Sequence, residues 1–80
     1  MRLDKYLKVS RLIKRRTVAN EACDAGKITV NDKVARASYG VKVGDVIEIT
    51  LGSKSVKVKV TEVKEVVRKE DAATMYEAAV

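Results

Sequence analysis

At Gly26 the spacing of apolar residues switches from a helical period to a period of two, and this switch limits the chain to a mixed fold. Before it, Leu3, Tyr6, Leu7 and Ser10 recur at helical spacing across Arg2 to Ile13, so a helix there turns one stripe inward. Lys14 to Arg16 read as a tight connection. Thr17 reads as the cap of a second helix, its hydroxyl accepting from a free backbone N–H. Val18, Ala22 and Ala25 give that helix a narrow inward face, and Gly26 supplies the left-handed residue that ends it. The alanines permit close approach of the first helix.

Beyond Gly26, Ile28 and Val30 alternate with Thr29, and Asn31-Asp32 makes a turn. Lys33 to Ala37 form a short return strand or an extended segment. Ser38 to Lys42 are loop, pinned to the core by Val41 and Val43. Gly44-Asp45 turns the chain into a strand from Val46 to Leu51, with Ile47, Ile49 and Leu51 on one face. Gly52-Ser53-Lys54 turns it again, into a strand where Val56, Val58 and Val60 alternate with Lys57 and Lys59. Those lysines read first as solubility and pairing residues opposite Glu48 and Thr50. Lys64 to Lys69 carries no clear period. Glu70 to Val80 reads as a short helix, with Asp71 near its start and Ala72, Met75, Tyr76 and Ala79 inward. The expected architecture is α+β: a two-helix unit packed on a small, mostly antiparallel sheet, with a short C-terminal helix. Eighty residues suit one domain, 1–80, with a thin core of Val, Ala, Leu and Ile.

The formal charge of +6 is not spread along the chain. Arg2, Lys5, Lys8, Arg11, Lys14, Arg15 and Arg16 face a single acid, Asp4, within the first sixteen residues. From Thr17 onward ten cations meet ten acids and cancel. Lys5, Lys8 and Arg11 fall at three-residue steps on a helix face other than the apolar one, and Lys14, Arg15 and Arg16 continue the run to the next helix start. A solvated helix face is the plain reading of a charge run. Here compensating acids are nearly absent, so the run predicts a polyanion, and nucleic acid above all. Neutralised phosphates release counterions, which makes such binding salt-dependent. The free N–H groups of the second helix start also favour phosphate. Asp4, in the first turn of a helix, reads as the organiser of nearby arginine side chains.

Catalytic chemistry finds few candidates. The chain has no His, which removes the commonest general base and metal ligand. Ser10, Ser38, Ser53 and Ser55 therefore lack a partner, and no phosphate-cradling glycine loop is present. Cys23 stands alone and reads as a small buried residue on a helix. No enzyme activity, metal or cofactor is expected. Charges interrupt the N-terminal segment every three residues, so it does not read as a signal peptide, and no apolar run of about 18 residues predicts a membrane span. A cytoplasmic monomer is expected.

The kind of nucleic acid follows from the aromatics, which are Tyr6, Tyr39 and Tyr76 alone. Tyr6 and Tyr76 fall on inward faces. Tyr39, in a loop, either stacks on a base or covers the sheet edge. So few rings disfavour a single-strand binder that works by stacking. Structured RNA, read by shape and backbone, fits better.

Five blocks, in order, carry a resemblance to a known family: Arg2-Leu3-Asp4-Lys5-Tyr6-Leu7, Ser10-Arg11, Arg15-Arg16-Thr17, Gly26-Lys27-Ile28-Thr29-Val30-Asn31 and Val43-Gly44-Asp45-Val46-Ile47. Together they resemble the S-four RNA-binding domain, also called the alpha-L motif, over roughly residues 1–49, with residues 50–80 adding strands and a helix. Asp32 departs from the glycine usual after this Asn, which implies a slightly strained or differently shaped hairpin. Other members append this domain to pseudouridine synthases and tyrosyl-tRNA synthetases, for which this chain has no room. The whole length, with Lys69-Glu70-Asp71-Ala72-Ala73-Thr74-Met75-Tyr76, is most similar to stand-alone bacterial members of ribosome-associated quality control.

That resemblance implies binding to a large ribosomal subunit that still holds peptidyl-tRNA. Its RNA contacts would be large-subunit ribosomal RNA and the P-site tRNA. Its partner would be the quality-control factor that recruits alanyl-tRNA (RqcH-like), so that untemplated alanine tails grow on the nascent chain. By the same likeness Arg2 and Arg16 are the first RNA contacts, Arg11, Lys14 and Arg15 the next, and Lys5 and Lys8 follow. The alternatives are a heat-shock type factor that recycles large subunits, and a small DNA-binding or interaction module.

Overall fold

The computed structural model describes residues 1–79 and contains both expected halves. Helices α1 (Leu3–Val9) and α2 (Arg16–Asp24) lead into strands β1 (Ile28–Val30), β2 (Lys33–Val34), β3 (Val46–Leu51) and β4 (Lys54–Val60). A 3-10 helix (Lys69–Met75) and strand β5 (Tyr76–Ala78) follow. The sheet order is β2-β1-β3-β4-β5, and every pairing is antiparallel. Among the described residues no helix is long and apolar enough to cross a membrane.

Helix α1 stops short of Ile13 because Arg11 takes a left-handed backbone, φ 62°. Its N–H donates to the Lys8 carbonyl at 3.1 Å, and the Ile13 N–H donates to the Leu7 carbonyl at 3.0 Å. Helix α2 ends by a related device on Gly26, φ 72°. There the Gly26 N–H meets the Cys23 carbonyl and the Lys27 N–H the Ala22 carbonyl, both at 3.0 Å, as a Schellman motif requires. A residue with a Cβ in the left-handed region costs about 1–2 kcal/mol. Arg11→Gly should therefore raise stability by about 1 kcal/mol, a melting shift of about 4–8 °C in a domain of this size, read by thermal circular dichroism. A lower melting temperature would show that the Arg11 side chain contributes more packing than its backbone costs.

The buried face of α2 is Ala19, Ala22 and Cys23, whereas Val18 is 41% exposed and Ala25 is also exposed. The expected stripe and the observed one share Ala22. Turning the smallest side chains inward is what lets α1 lie close. Thr17 is not the cap: Arg15 is, with extended backbone and no side-chain capping bond. Leu3, Tyr6 and Leu7 of α1 share one core with Ile28, Val30, Ile47, Ile49, Val58 and Val60 of the sheet. Val41 joins this core, but Val43 stays 64% exposed and pins nothing. Leu51 and Val56 lie exposed toward the tip of the β3–β4 hairpin. Across that hairpin Lys57 opposes Glu48 as expected, while Lys59 opposes Val46 and Thr50 opposes Ser55.

The buried Tyr6 phenol needs an acceptor and finds the Met75 carbonyl at 2.7 Å. Burial also pushes its ionisation above the ordinary phenol value. The terminal helix is present as the 3-10 turn around Ala72 and Met75, both buried. Tyr76–Ala78 leaves it to pair with β4, in register Val58↔Ala78 and Val60↔Tyr76, which closes an otherwise open strand edge. Val80, the last residue of the expected helix, lies outside the described residues.

A second polar centre holds the loop before β3. Asp45 is buried and accepts from the Lys42 N–H and the Tyr39 hydroxyl, both at 2.9 Å, and from Asn31 Nδ2 at 3.1 Å. Asn31 Oδ1 in turn accepts the Val46 N–H at 3.0 Å. Asn31 and Asp32 both adopt left-handed backbone, φ 53° and 69°, which a two-residue hairpin turn demands. Burial alone would raise the Asp45 carboxyl, but those three bonds and the Lys42 charge outweigh it and hold it below its usual range. A carboxyl depressed below its unfolded value of about 3.9 stabilises the fold at neutral pH. That contribution shrinks as pH falls below about 5 and is lost once pH passes the folded value. The urea midpoint should therefore drop between pH 7 and pH 3, and Asp45→Asn should start lower and drop less. An equal drop in both proteins would remove Asp45 from the account.

Candidate nucleic-acid interface

Asp4 sits at the centre of the cationic end, with its side chain only 3% exposed. Burial opposes its charge, yet six nitrogens from four residues converge on it. Arg2 donates from Nε to Oδ1 at 3.2 Å and from Nη2 to Oδ2 at 3.3 Å. The Lys5 N–H reaches Oδ1 at 2.8 Å and Asn20 Nδ2 reaches Oδ2 at 3.3 Å. Arg16 approaches from α2, its Nε 3.5 Å from Oδ2 and its Nη2 3.5 Å from Oδ1. These bonds outweigh desolvation and keep the carboxyl below its ordinary range. A paired guanidinium fork on a fixed carboxylate is a rigid arrangement.

The two arginines are not consumed by this. Their side chains remain 51% and 47% exposed, so each holds Asp4 with one part and offers the rest to solvent. They come from chain positions fourteen residues apart and meet only because α1 and α2 pack together. Beside them a depression of about 350 Å³ is lined by Asp4, Arg16, Thr17, Asn20 and Glu21. The start of α2 opens here without a side-chain cap.

The other sequence candidates divide. Lys5 pairs with Glu65 and is half withdrawn. Lys8, Arg11, Lys14 and Arg15 are exposed, on the last turn of α1 and the connection to α2, and none forms an ion pair among the described residues. The structure thus brings Arg2 and Arg16 together on Asp4 and leaves these four exposed and outside that cluster. Asn20 is the member that sequence reasoning missed; an amide four residues after Arg16, one helical turn on, was the available signal. Cys23 is buried, and burial first, then the Asp4 and Asp24 charges, pushes its thiol up to about 11, an unreactive value.

The S4 domain family matches residues 1–47, the segment that builds this cationic end. The chain belongs to the S4 domain family. Relatives of this S4 chain include the RQC P-site tRNA stabilizing factor of Halalkalibacterium halodurans, 62% identical over 96% of this chain and 88% of that protein. The factor of the same name from Streptococcus pneumoniae is 60% identical over the same shares. Among solved structures, the trimeric heat shock protein 15 of Vibrio cholerae superposes on this S4 fold with a TM-score of 0.92 at 26% identity, covering 99% of this chain and 81% of that one.

Proposed function

We propose that this chain is a non-enzymatic RNA-binding factor of bacterial ribosome-associated quality control. It binds large ribosomal subunits obstructed by peptidyl-tRNA, contacts large-subunit ribosomal RNA and the P-site tRNA, and supports untemplated alanine tailing beside the RqcH-like factor that recruits alanyl-tRNA. The observation that carries this reading is the pair Arg2 and Arg16, half exposed and locked on a buried Asp4, in a chain whose relatives are named for stabilising P-site tRNA. Preset guanidinium forks suit folded RNA, whose phosphates and 2′-hydroxyls are recognised by shape. Arg2 and Arg16 make the first contacts, and Arg11, Lys14, Arg15, Lys8 and Lys5 extend them. Residues 1–49 carry the RNA surface, and residues 50–80 brace it within one cytoplasmic, monomeric domain.

Co-sedimentation tests the reading. The protein should pellet with large subunits several-fold more when peptidyl-tRNA is present. Preference for duplex DNA over ribosomal RNA at matched salt would overturn it. The fold likeness to heat shock protein 15 favours a second reading, a factor that recycles blocked large subunits. Loss of alanine tails on deletion selects the first reading, and unchanged tails with slower subunit recycling select the second.

A further inference from the structure

A groove of about 610 Å³ runs along β2, lined chiefly by Lys33, Val34, Ala35, Arg36, Ser38 and Tyr39. That volume lies within the range of about 300–1,000 Å³ typical of sites for small organic groups. Its wall is apolar where Val34 stands 66% exposed. Its rim carries Lys33 and Arg36, both exposed and neither in an ion pair among the described residues. Tyr39 cannot swing freely, because its hydroxyl is tied to the buried Asp45 at 2.9 Å. Strand β2 is the sheet edge, so main-chain groups on its outer side have no strand partner.

The segment that walls the groove is tied to the start of α1 through the backbone. The Leu3 N–H donates to the Tyr39 carbonyl at 2.8 Å, and Arg2 bridges Gly40. Arg2 therefore adjoins this segment by its backbone, while its side chain turns to Asp4. A tethered ring, an apolar wall, an open strand edge and two free cations match the parts of one unpaired nucleotide. The ring and wall accept a base face, the strand edge accepts its polar rim, and the cations accept flanking phosphates.

We propose that this groove receives a single unpaired nucleotide of the RNA held on the helix pair. The proposal rests on the RNA reading above and adds a second, local element to it: a backbone read by the helices and one extruded base read by the sheet edge. It also assigns Lys33 and Arg36, which lie outside the basic N-terminal run, to the RNA surface.

The probes are a short RNA hairpin with a fully paired stem and the same hairpin carrying one bulged nucleotide, compared by fluorescence anisotropy at fixed salt. The wild-type chain should bind the bulged form at least about fivefold tighter, since base stacking on an aromatic side chain is sequence-tolerant and strong. Lys33→Gln with Arg36→Gln should weaken the bulged hairpin more than the paired one, because the flanking phosphates lose their partners, and so cut the preference to about twofold or less. Amide shifts at residues 33–39 in the wild type should appear with the bulged hairpin and not with the paired one. No preference in the wild type, a preference undiminished in the double variant, or an equal loss on both hairpins would each overturn the groove. Failure of the wild type to bind either hairpin would instead strike the RNA reading itself.

Discussion

On the proposed reading, replacing Arg2 and Arg16 together with alanine should weaken binding to large subunits by about a hundredfold or more. Each guanidinium donates charge-assisted hydrogen bonds, worth about 1.5–3 kcal/mol, and two such losses sum to about 3–6 kcal/mol, a weakening of about a hundredfold or more. Loss of two phosphate contacts should also flatten the slope of log affinity against log salt by about two. The far-ultraviolet circular dichroism should stay helical, because neither side chain is in the apolar core and Asp4 keeps Asn20 and the Lys5 N–H. Lys57→Ala with Lys59→Ala is the control. Those residues lie on β4, where Lys57 already faces Glu48 and lies 4.0 Å from Asp32, and affinity should change less than about threefold. A comparable loss there, or retained binding without Arg2 and Arg16, would move the interface off the helices.

Asp4→Asn separates charge from arrangement. It makes the chain more cationic by one unit, so attraction to RNA alone predicts tighter binding. The structure predicts the reverse. Without the carboxylate, Arg2 and Arg16 lose the partner that orders them, and each must be ordered on binding. Fixing an arginine side chain costs about 1.5–2 kcal/mol, so affinity should fall about tenfold or more while the salt slope stays put. Stability should fall as well, by about 2–3 kcal/mol, because a buried acceptor of charged donors is replaced by an amide that turns an NH₂ toward them. Affinity unchanged or improved would reduce Asp4 to a structural residue.

Much of this was legible before the fold was known. The switch of period at Gly26 placed the two helices and β1, β3 and β4, because side-chain spacing reports backbone geometry directly. The role of Asp4 followed from one acid set among seven cations. What could not be read depended on contacts between distant segments. The inward face of α2 was read as Val18, Ala22 and Ala25, but packing against α1 selected Ala19, Ala22 and Cys23 instead, a choice the helix's own spacing does not make. Strand β5 was invisible in a segment of helical composition, since it exists only because β4 has an edge to share. Asp45 read as a turn residue, and nothing local shows that Asn31, Tyr39 and the Lys42 N–H will close around it. The groove along β2 is likewise a product of how the 36–39 segment bonds back to the start of α1.

The bond from Tyr6 to the Met75 carbonyl couples the beginning of the chain to a point sixty-nine residues later. Lys5 and Glu65 make a similar long-range clasp. Without the late segment the buried Tyr6 hydroxyl would have no acceptor, so the last-made part of the domain completes the polar bonding of the first-made helix.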